Sequence, residues 1–167
     1  MPATRDDLMA ALSRLGIGTR TIDHPPVFTV EEAQALRGTV PGAHTKNLFL
    51  KDKKDRLFLL VAPEDAELDL KQIHHRIGAG GRVSFGKPEL LMETLGVTPG
   101  SVTAFAPIND TAGRVTVVLD AGLAAAETVN CHPLTNTATT TIATADLLAF
   151  LRSTGHEPLI VALTGEL

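Results

Sequence analysis

The sequence predicts an α+β fold, in which strands and helices are mixed without a regular βαβ alternation. Two short apolar segments, residues 46–51 and 56–61, are separated by the polar stretch 52–55, which is a spacing typical of a β-hairpin. Segments with helical periodicity lie before and after this pair at irregular intervals. Because hairpin strands run antiparallel, we expect an antiparallel or mixed sheet with helices beside it.

Five segments have the apolar spacing of helices. The first extends from Thr4 to Leu15, because Thr4 can cap it together with Asp7 three residues later and Gly16 can end it. Thr144 is the expected cap of the last helix, residues 145–151. The three helices between them are expected at residues 29–36, 70–77 and 88–95.

Strands are expected where apolar, β-branched or threonine residues follow one another between turn signals. Such runs are bounded by glycine, proline or short polar stretches rather than by helix caps. The expected strands are residues 20–23, 46–51, 56–61, 115–119, 137–141 and 159–163.

The composition is that of an ordinary globular protein, with 44% hydrophobic and 20% charged residues. The 167 residues correspond to one domain, so we expect a single domain over 1–167. An aromatic content of 4%, without Trp or Tyr, argues against binding RNA through rows of stacked bases. No apolar run approaches the ~18–20 residues that span a bilayer, and no secretory signal is visible, so a cytoplasmic location is expected. The single cysteine, Cys131, can form neither an internal disulfide nor a multi-cysteine metal site, and no metal or other cofactor is expected.

The charge is distributed unevenly along a chain whose formal net charge is −4. Residues 1–87 contain 13 basic and 11 acidic side chains, whereas residues 88–167 contain 2 basic and 8 acidic ones. Two basic stretches, residues 46–56 and 71–87, could hold a short length of RNA on an otherwise acidic protein. From charge alone, a solvated surface is the competing interpretation.

Three places could carry chemistry. Lys46 opens an apolar strand, the loop 96–103 is rich in glycine and hydroxyl groups, and His132 lies among threonine and asparagine donors. The alternatives are a solvated strand-end lysine, an ordinary loop and a structural histidine.

Two other features are interpreted as structural. The glycine run 78–81 lacks the spacing of a dinucleotide-binding loop and is read as a turn. His74 and His75 are neighbours on an expected helix, so they point ~100° apart and do not form a chelating pair.

Five segments in this order resemble the YbaK-like family of aminoacyl-tRNA editing domains, and particularly its stand-alone members that clear alanyl-tRNA(Pro). The likeness extends from about Thr4 to Leu163. The matching segments are HPPVFTVEE (24–32), TKNLFL (45–50), LGVTPGSVT (95–103), IND (108–110) and HPLTN (132–136).

The resemblance implies a fold in which a mixed, partly closed and mainly antiparallel sheet is flanked by helices. It also implies the residues of an active site. Lys46 matches the family's pocket lysine, His132 its pocket histidine, and residues 100–104 its GxxxP loop, here with Ala104 in place of the proline. The implied catalytic positions are Lys46, Gly100 and Ser101, with backbone N–H groups of the loop stabilising an oxyanion. The implied substrate-binding residues are Val27, Phe28, Val30, Ala33, Asn47, His132, Thr135 and Asn136.

The implied reaction is hydrolysis of the ester that joins alanine to the terminal adenosine of tRNA(Pro). Because this ester is already activated, the missing metal and nucleophile motifs are no objection. Two alternatives remain open: a non-catalytic tRNA or amino-acid binding module of the same fold, and a deacylase for cysteinyl or another small aminoacyl group.

The implied partner is the acceptor end of an aminoacyl-tRNA(Pro), and transient association with prolyl-tRNA synthetase would accompany that role. No DNA or membrane partner is expected. The expected tRNA contacts are Lys51, Lys71 and Arg82, whose binding to phosphates should weaken with salt.

Overall fold

The structure, a computed structural model, describes residues 1–26, 31–32, 35, 38 and 40–165. Over these residues it contains one mixed eight-stranded sheet and five α-helices with both ends described, and residues 31, 32, 35 and 38 are also helical. The strands are β1 (Thr19–Asp23), β2 (Ala43–Lys51), β3 (Leu57–Pro63), β4 (Ser84–Phe85), β5 (Val115–Asp120), β6 (Thr128–Cys131), β7 (Ala138–Ala143) and β8 (Leu159–Val161). The helices are α1 (Arg5–Arg14), α2 (His74–Ile77), α3 (Pro88–Leu95), α4 (Ala121–Ala124) and α5 (Thr144–Ser153).

Strand β2 is the centre of the sheet. It pairs with β3 in an antiparallel hairpin, whereas its other neighbours are β6, parallel near its start, and β4, antiparallel near its end. Beyond β3 the strands β5 and β8 follow in parallel, and beyond β6 the strands β7 and β1 follow in antiparallel pairs. Parallel and antiparallel pairs therefore share one sheet with helices beside it, and the predicted α+β class is confirmed.

Two hydrophobic clusters lie on the two faces of β3. Leu57, Leu59 and Val61 belong to the larger cluster, which includes residues of α1, α3 and α5. Phe58 and Leu60 belong to the smaller one, which includes Ile73 and Ile77 of the α2 region. Because successive strand residues point to opposite faces, burial on both sides explains why the sequence of β3 is continuously apolar.

Several local predictions are confirmed by the capping contacts. Thr4 Oγ1 accepts from Asp7 N at 3.2 Å, and the Asp7 carboxylate accepts from Thr4 N at 2.9 Å, which is a complete capping box. Helix α3 begins at Pro88 and ends at Gly96, which adopts a left-handed φ of 66°.

Other local predictions were wrong. Thr144 does not cap α5: it is the first helical residue, the N-cap is Ala143, and no donor or acceptor among the described residues reaches the buried Thr144 Oγ1. The helix expected over residues 70–77 is reduced to α2, because residues 70–73 form turns. The helix expected from Thr29 is not one of the wrong predictions: residues 31, 32 and 35 are helical, and the others of that segment lie outside the described residues.

Strands β4 and β6 were not expected from the sequence. Both are short, with 2 and 4 residues, and neither has enough length to show a period. Within the described part of the chain, no helix has the length and apolar character needed to cross a bilayer.

Candidate active site

Lys46 lies on β2, opposite Ala62 of β3. Its side chain is partly buried, and its ammonium donates to the carbonyl of Ala66, just beyond β3. The residue before it, Thr45, donates through Oγ1 to the carbonyl of Asn130 at 2.7 Å. This contact joins the start of β2 to the end of β6. Lys46 is therefore one residue from a contact with the strand that leads into His132.

Asn47 follows Lys46 on β2 and therefore points to the opposite face of the sheet. Its Oδ1 atom is buried, and no donor among the described residues reaches it. A buried acceptor without a donor costs ~1–3 kcal/mol, so this oxygen is a candidate to accept a hydrogen bond from a bound ligand.

His132 is held in one tautomer by its backbone contact. Its Nδ1 lies 3.1 Å from the carbonyl of Ala138, and since a carbonyl only accepts, Nδ1 carries the proton. Burial lowers the pKa of this imidazole and the nearby His24 lowers it further, whereas the hydrogen bond and Glu64 oppose that shift. The ring is therefore neutral at pH 7, and its Nε2 atom can accept a hydrogen bond from an ammonium or a hydroxyl group.

The glycine loop and the His132 loop lie against each other. Thr103 Oγ1 donates to the carbonyl of His132 at 2.6 Å. A Cβ atom added to Gly100 would lie 3.5 Å from Asn136 Nδ2, so the exposed Gly100 backbone faces that amide. Ala104, at the position where the resembled loop has proline, is fully buried in the larger cluster. Packing and the Thr103 hydrogen bond therefore fix this end of the loop without a proline ring.

Residues 99–101 form a 3-10 turn, and the turn decides which backbone donors are free. Ser101 N donates to the carbonyl of Thr98 at 2.9 Å, so this N–H is engaged. Gly100 N has no acceptor within the turn, because a 3-10 hydrogen bond joins residues three apart. Of the two expected oxyanion donors, the N–H groups of Gly100 and Ser101, only that of Gly100 is left to bind a ligand. The Ser101 N–H stabilises the turn instead.

The loop from His132 to Asn136 contains a strained residue. Leu134 has a φ of 65°, in the left-handed region that non-glycine residues rarely adopt. Its side chain packs against the larger cluster, which compensates for the strain. Strain of this kind is frequent where a loop must present groups to a ligand.

The structure brings together only some of the expected site residues. Gly100, Ser101, His132 and Asn136 share one pair of touching loops, and Thr135, whose hydroxyl lies 3.0 Å from that of Thr137, is in the same loop. Among the described residues, the Lys46 ammonium makes no hydrogen bond to either loop. Four of the expected substrate-binding residues lie outside the described residues, namely Val27, Phe28, Val30 and Ala33.

Two further residues belong to this region although the sequence assigned them no role. His24 follows β1, and its Nε2 lies 2.8 Å from Thr139 Oγ1 on β7. Glu64 follows β3 and, like His24, is near enough to influence the charge state of His132. His24 lies within a segment of the resemblance, but only the sheet order shows that β1 approaches His132 through β7.

The sequence matches the model of one protein family. The model of the aminoacyl-tRNA editing domain matches residues 24–150, which include every loop described above. The chain belongs to the aminoacyl-tRNA editing domain family.

Relatives of this editing domain cover almost its whole length. The prolyl-tRNA synthetase associated domain-containing protein 1 of Danio rerio is 44% identical over 95% of this chain and 86% of its own. The prolyl-tRNA editing protein ProX of Acetoanaerobium sticklandii is 35% identical over 89% of this chain and 91% of its own. A solved structure of a proposed trans-editing enzyme for prolyl tRNA synthetase superimposes with a TM-score of 0.70 at 23% identity, over 99% of this chain and 100% of that one. This last likeness supports the fold.

The basic residues of the editing domain are not all on one surface. Lys51 and Arg82 line one open groove of about 660 Å³, and Lys71 is exposed elsewhere, on the turn before α2. We call the groove that Lys51 and Arg82 line the basic groove. Its lining residues are Lys51, Asp52, Lys53, Asp55, Arg82, Val83 and Ser84.

Proposed function

We propose that this editing domain deacylates mischarged tRNA, with alanyl-tRNA(Pro) as its preferred substrate. The observation that carries the proposal is the contact between the Gly100 loop and the His132 loop, in which Thr103 Oγ1 donates to the His132 carbonyl and Gly100 faces Asn136. The prolyl-tRNA editing name of the relative from Acetoanaerobium sticklandii supports the same substrate class.

The proposed reaction is attack of water on the carbonyl carbon of the aminoacyl ester. The C–O bond to the ribose breaks, the ribose oxygen takes up a proton, and a free amino acid and uncharged tRNA leave. Gly100 N–H would donate to the oxyanion that forms on the carbonyl oxygen. His132 Nε2 would accept from the substrate's ammonium or its free ribose hydroxyl.

Lys46 would supply a mobile positive charge. Its single described hydrogen bond, to the Ala66 carbonyl, is one that a flexible ammonium can exchange for a substrate oxygen. Asn47 is expected to bind substrate as well, but its side chain points to the opposite face of β2, so it would not contact the substrate group that Lys46 contacts. The proposal requires no metal at any step.

Specificity for a small amino acid would come from the walls of the pocket. The expected substrate-binding residues Val27, Phe28, Val30 and Ala33 would form an apolar wall that excludes the proline ring by steric clash. Binding alone discriminates by only ~1–3 kcal/mol per methylene, so exclusion is needed for a strong preference.

A panel of aminoacyl-tRNAs tests this proposal. We expect alanyl-tRNA(Pro) to be hydrolysed roughly tenfold or more faster than prolyl-tRNA(Pro), with cysteinyl-tRNA between them, in the presence of EDTA. The measurement is the single-turnover rate of ester loss against a buffer blank. Loss at the buffer rate for every ester would refute the enzyme and leave a binding module, and faster cysteinyl hydrolysis would reassign the substrate.

Charge reversal in the basic groove tests the tRNA partner. Lys51→Glu and Arg82→Glu should each raise KM several-fold more than they lower kcat, and binding should weaken steeply with added salt. Lys71→Glu tests the third expected contact separately, because that residue is outside the groove. The control is Lys87→Glu, which removes an exposed basic residue that does not line the groove. Equal effects of all four substitutions would show that only net charge matters.

A further inference from the structure

His24 fastens the end of β1 to the start of β7 through its backbone and its side chain. Its backbone N–H donates to the carbonyl of Thr137 at 2.9 Å. Its ring atom Nε2 lies 2.8 Å from Thr139 Oγ1, and its Nδ1 lies 2.8 Å from the carbonyl of Pro25. Residues 137–139 are therefore held from the β1 side at both of their ends.

The contact with Pro25 sets the direction of the contact with Thr139. A carbonyl only accepts, so Nδ1 of His24 donates to Pro25. In the neutral ring Nε2 is then an acceptor, and the Thr139 hydroxyl donates to it. Thr139 is only 4% exposed, so loss of the ring would leave this hydroxyl without an acceptor among the described residues.

The ring of His132 contacts the residue between these two. Its Nδ1 donates to the carbonyl of Ala138 at 3.1 Å. Backbone carbonyls of successive strand residues point to opposite neighbours, so the Thr137 carbonyl is directed to His24 and the Ala138 carbonyl to His132. The position of the acceptor that holds the His132 proton therefore depends on the contacts that His24 makes.

A displacement of the Ala138 carbonyl would change His132 in a specific way. The tautomer of an imidazole is set by the hydrogen bond that one of its nitrogens makes, and here that bond is the one from Nδ1. Without it the proton can move to Nε2, which would then donate instead of accept. In the proposed deacylation Nε2 accepts from the substrate, so this change would remove a substrate contact.

We propose that His24 is a positioning residue that fixes the tautomer and the orientation of His132 through residues 137–139. Its effect on turnover rests on the proposed function. The tautomer of His132, in contrast, can be measured without any substrate.

A second side-chain hydrogen bond between β1 and β7 offers a matched control. Thr21 Oγ1 and Thr140 Oγ1 are 2.8 Å apart, and Thr140 is fully buried. Because successive strand residues point to opposite faces, Thr140 projects from the other face of β7 than Thr139. Thr21→Val should therefore loosen the same two strands without changing the acceptor of His132.

The test reads the His132 tautomer from the ¹⁵N chemical shifts of its ring, in the full chain without substrate at pH 7. We expect the wild type to show a protonated Nδ1 and an unprotonated Nε2, and the His132→Ala protein identifies these resonances. Thr139→Val, which removes the hydroxyl with little change of shape, should show a mixture of tautomers. His24→Asn should do the same, because its shorter amide can still donate to Pro25 but does not reach Thr139.

Two variants should keep the wild-type spectrum. Thr139→Ser retains the hydroxyl and should rescue the tautomer that Thr139→Val loses. Thr21→Val should lower the thermal melt but leave the His132 resonances unchanged.

Single-turnover deacylation is the second readout. We expect Thr139→Val and His24→Asn to lower the rate roughly three- to tenfold, as for the loss of one hydrogen bond. In a His132→Ala background the same substitutions should lower the rate no further, because residues that act through one another are not additive.

Two results would overturn the proposal: a His132 ring that keeps its proton on Nδ1 in both Thr139→Val and His24→Asn, or a Thr21→Val protein with the same mixture of tautomers. The second result would mean a general loosening of the sheet. If the deacylation panel shows no turnover, the proposed function fails, and the spectra still decide the role of His24. If the spectra do not change while the panel shows turnover, the role of His24 fails and the deacylase stands.

Discussion

Lys46→Ala should remove most deacylation of alanyl-tRNA(Pro) and leave the thermal melt almost unchanged. If the ammonium stabilises charge that develops in the transition state, its loss should lower the single-turnover rate by about 10²–10³-fold. Its contribution to stability is small, because the residue is only partly buried and makes one described hydrogen bond to a backbone carbonyl.

Variants at three positions separate a catalytic effect from a structural one. Lys46→Arg should also fail, because a planar guanidinium does not replace a compact ammonium in a small site. His132→Ala should be milder, since we assign that ring an accepting role. Lys87→Ala, which removes an exposed lysine that does not line the basic groove, is the control and should keep the wild-type rate. A Lys46→Ala protein that melts normally and retains near wild-type turnover would place the active site on other residues.

Hydrophobic periodicity and helix-capping residues predicted the longer helices and strands of the fold. The capping box of α1, the proline and glycine that bound α3, and the apolar run of β3 each depend on residues close together in sequence. Strand β6 could not be predicted in this way, because its 4 residues are defined by partners on β2 and β7 that are distant in sequence. The Thr144 cap failed because helix α5 begins one residue earlier, directly from β7.

The site was predicted from motifs rather than from geometry. The motifs placed Gly100 and His132 in one site, and the structure brings their loops into contact through Thr103. They did not indicate that Ser101 N–H is engaged within its turn, because that depends on backbone dihedral angles. The contact of the glycine run was missed for a similar reason, because the Asp52 carboxylate that accepts from Gly80 N lies 28 residues earlier in the chain.

Asp52→Asn should destabilise the protein strongly, by ~2–4 kcal/mol, for a substitution that changes almost no volume. The wild-type carboxylate accepts from three backbone N–H groups and from Arg56, and its side chain is 0% exposed. The asparagine side chain keeps one accepting oxygen, and its NH₂ group replaces the carboxylate oxygen Oδ2. Gly80 N and Arg56 Nε, which donate to Oδ2 in the wild type, then lose their acceptor. The free energy of unfolding from urea titration at pH 7 is the measurement.

The pH dependence of the difference in unfolding free energy between the wild type and Asp52→Asn is a second and independent test. The backbone and Arg56 hydrogen bonds outweigh burial and lower the pKa of Asp52 from 3.8 to about 2. A carboxyl whose folded pKa is depressed stabilises the protein above its unfolded pKa and loses that effect as the pH falls toward the folded one. The advantage of wild type over Asp52→Asn should therefore be complete at pH 7 and shrink by about 2 kcal/mol between roughly pH 4 and pH 2.

Asp55→Asn is the matched control, because Asp55 belongs to the same turn but its side chain is 83% exposed, and its one ion pair with a described residue is to Lys51 at 3.4 Å. A surface pair of this kind contributes ~0–1 kcal/mol, so this variant should unfold almost like the wild type at every pH. Because Asp52 also holds the backbone of Lys54 and Gly80 beside the basic groove, Asp52→Asn should weaken RNA binding at temperatures where the protein is still folded, whereas Asp55→Asn should not. If both variants had the same stability and the same affinity for RNA, the buried carboxylate would have no special role in the basic groove.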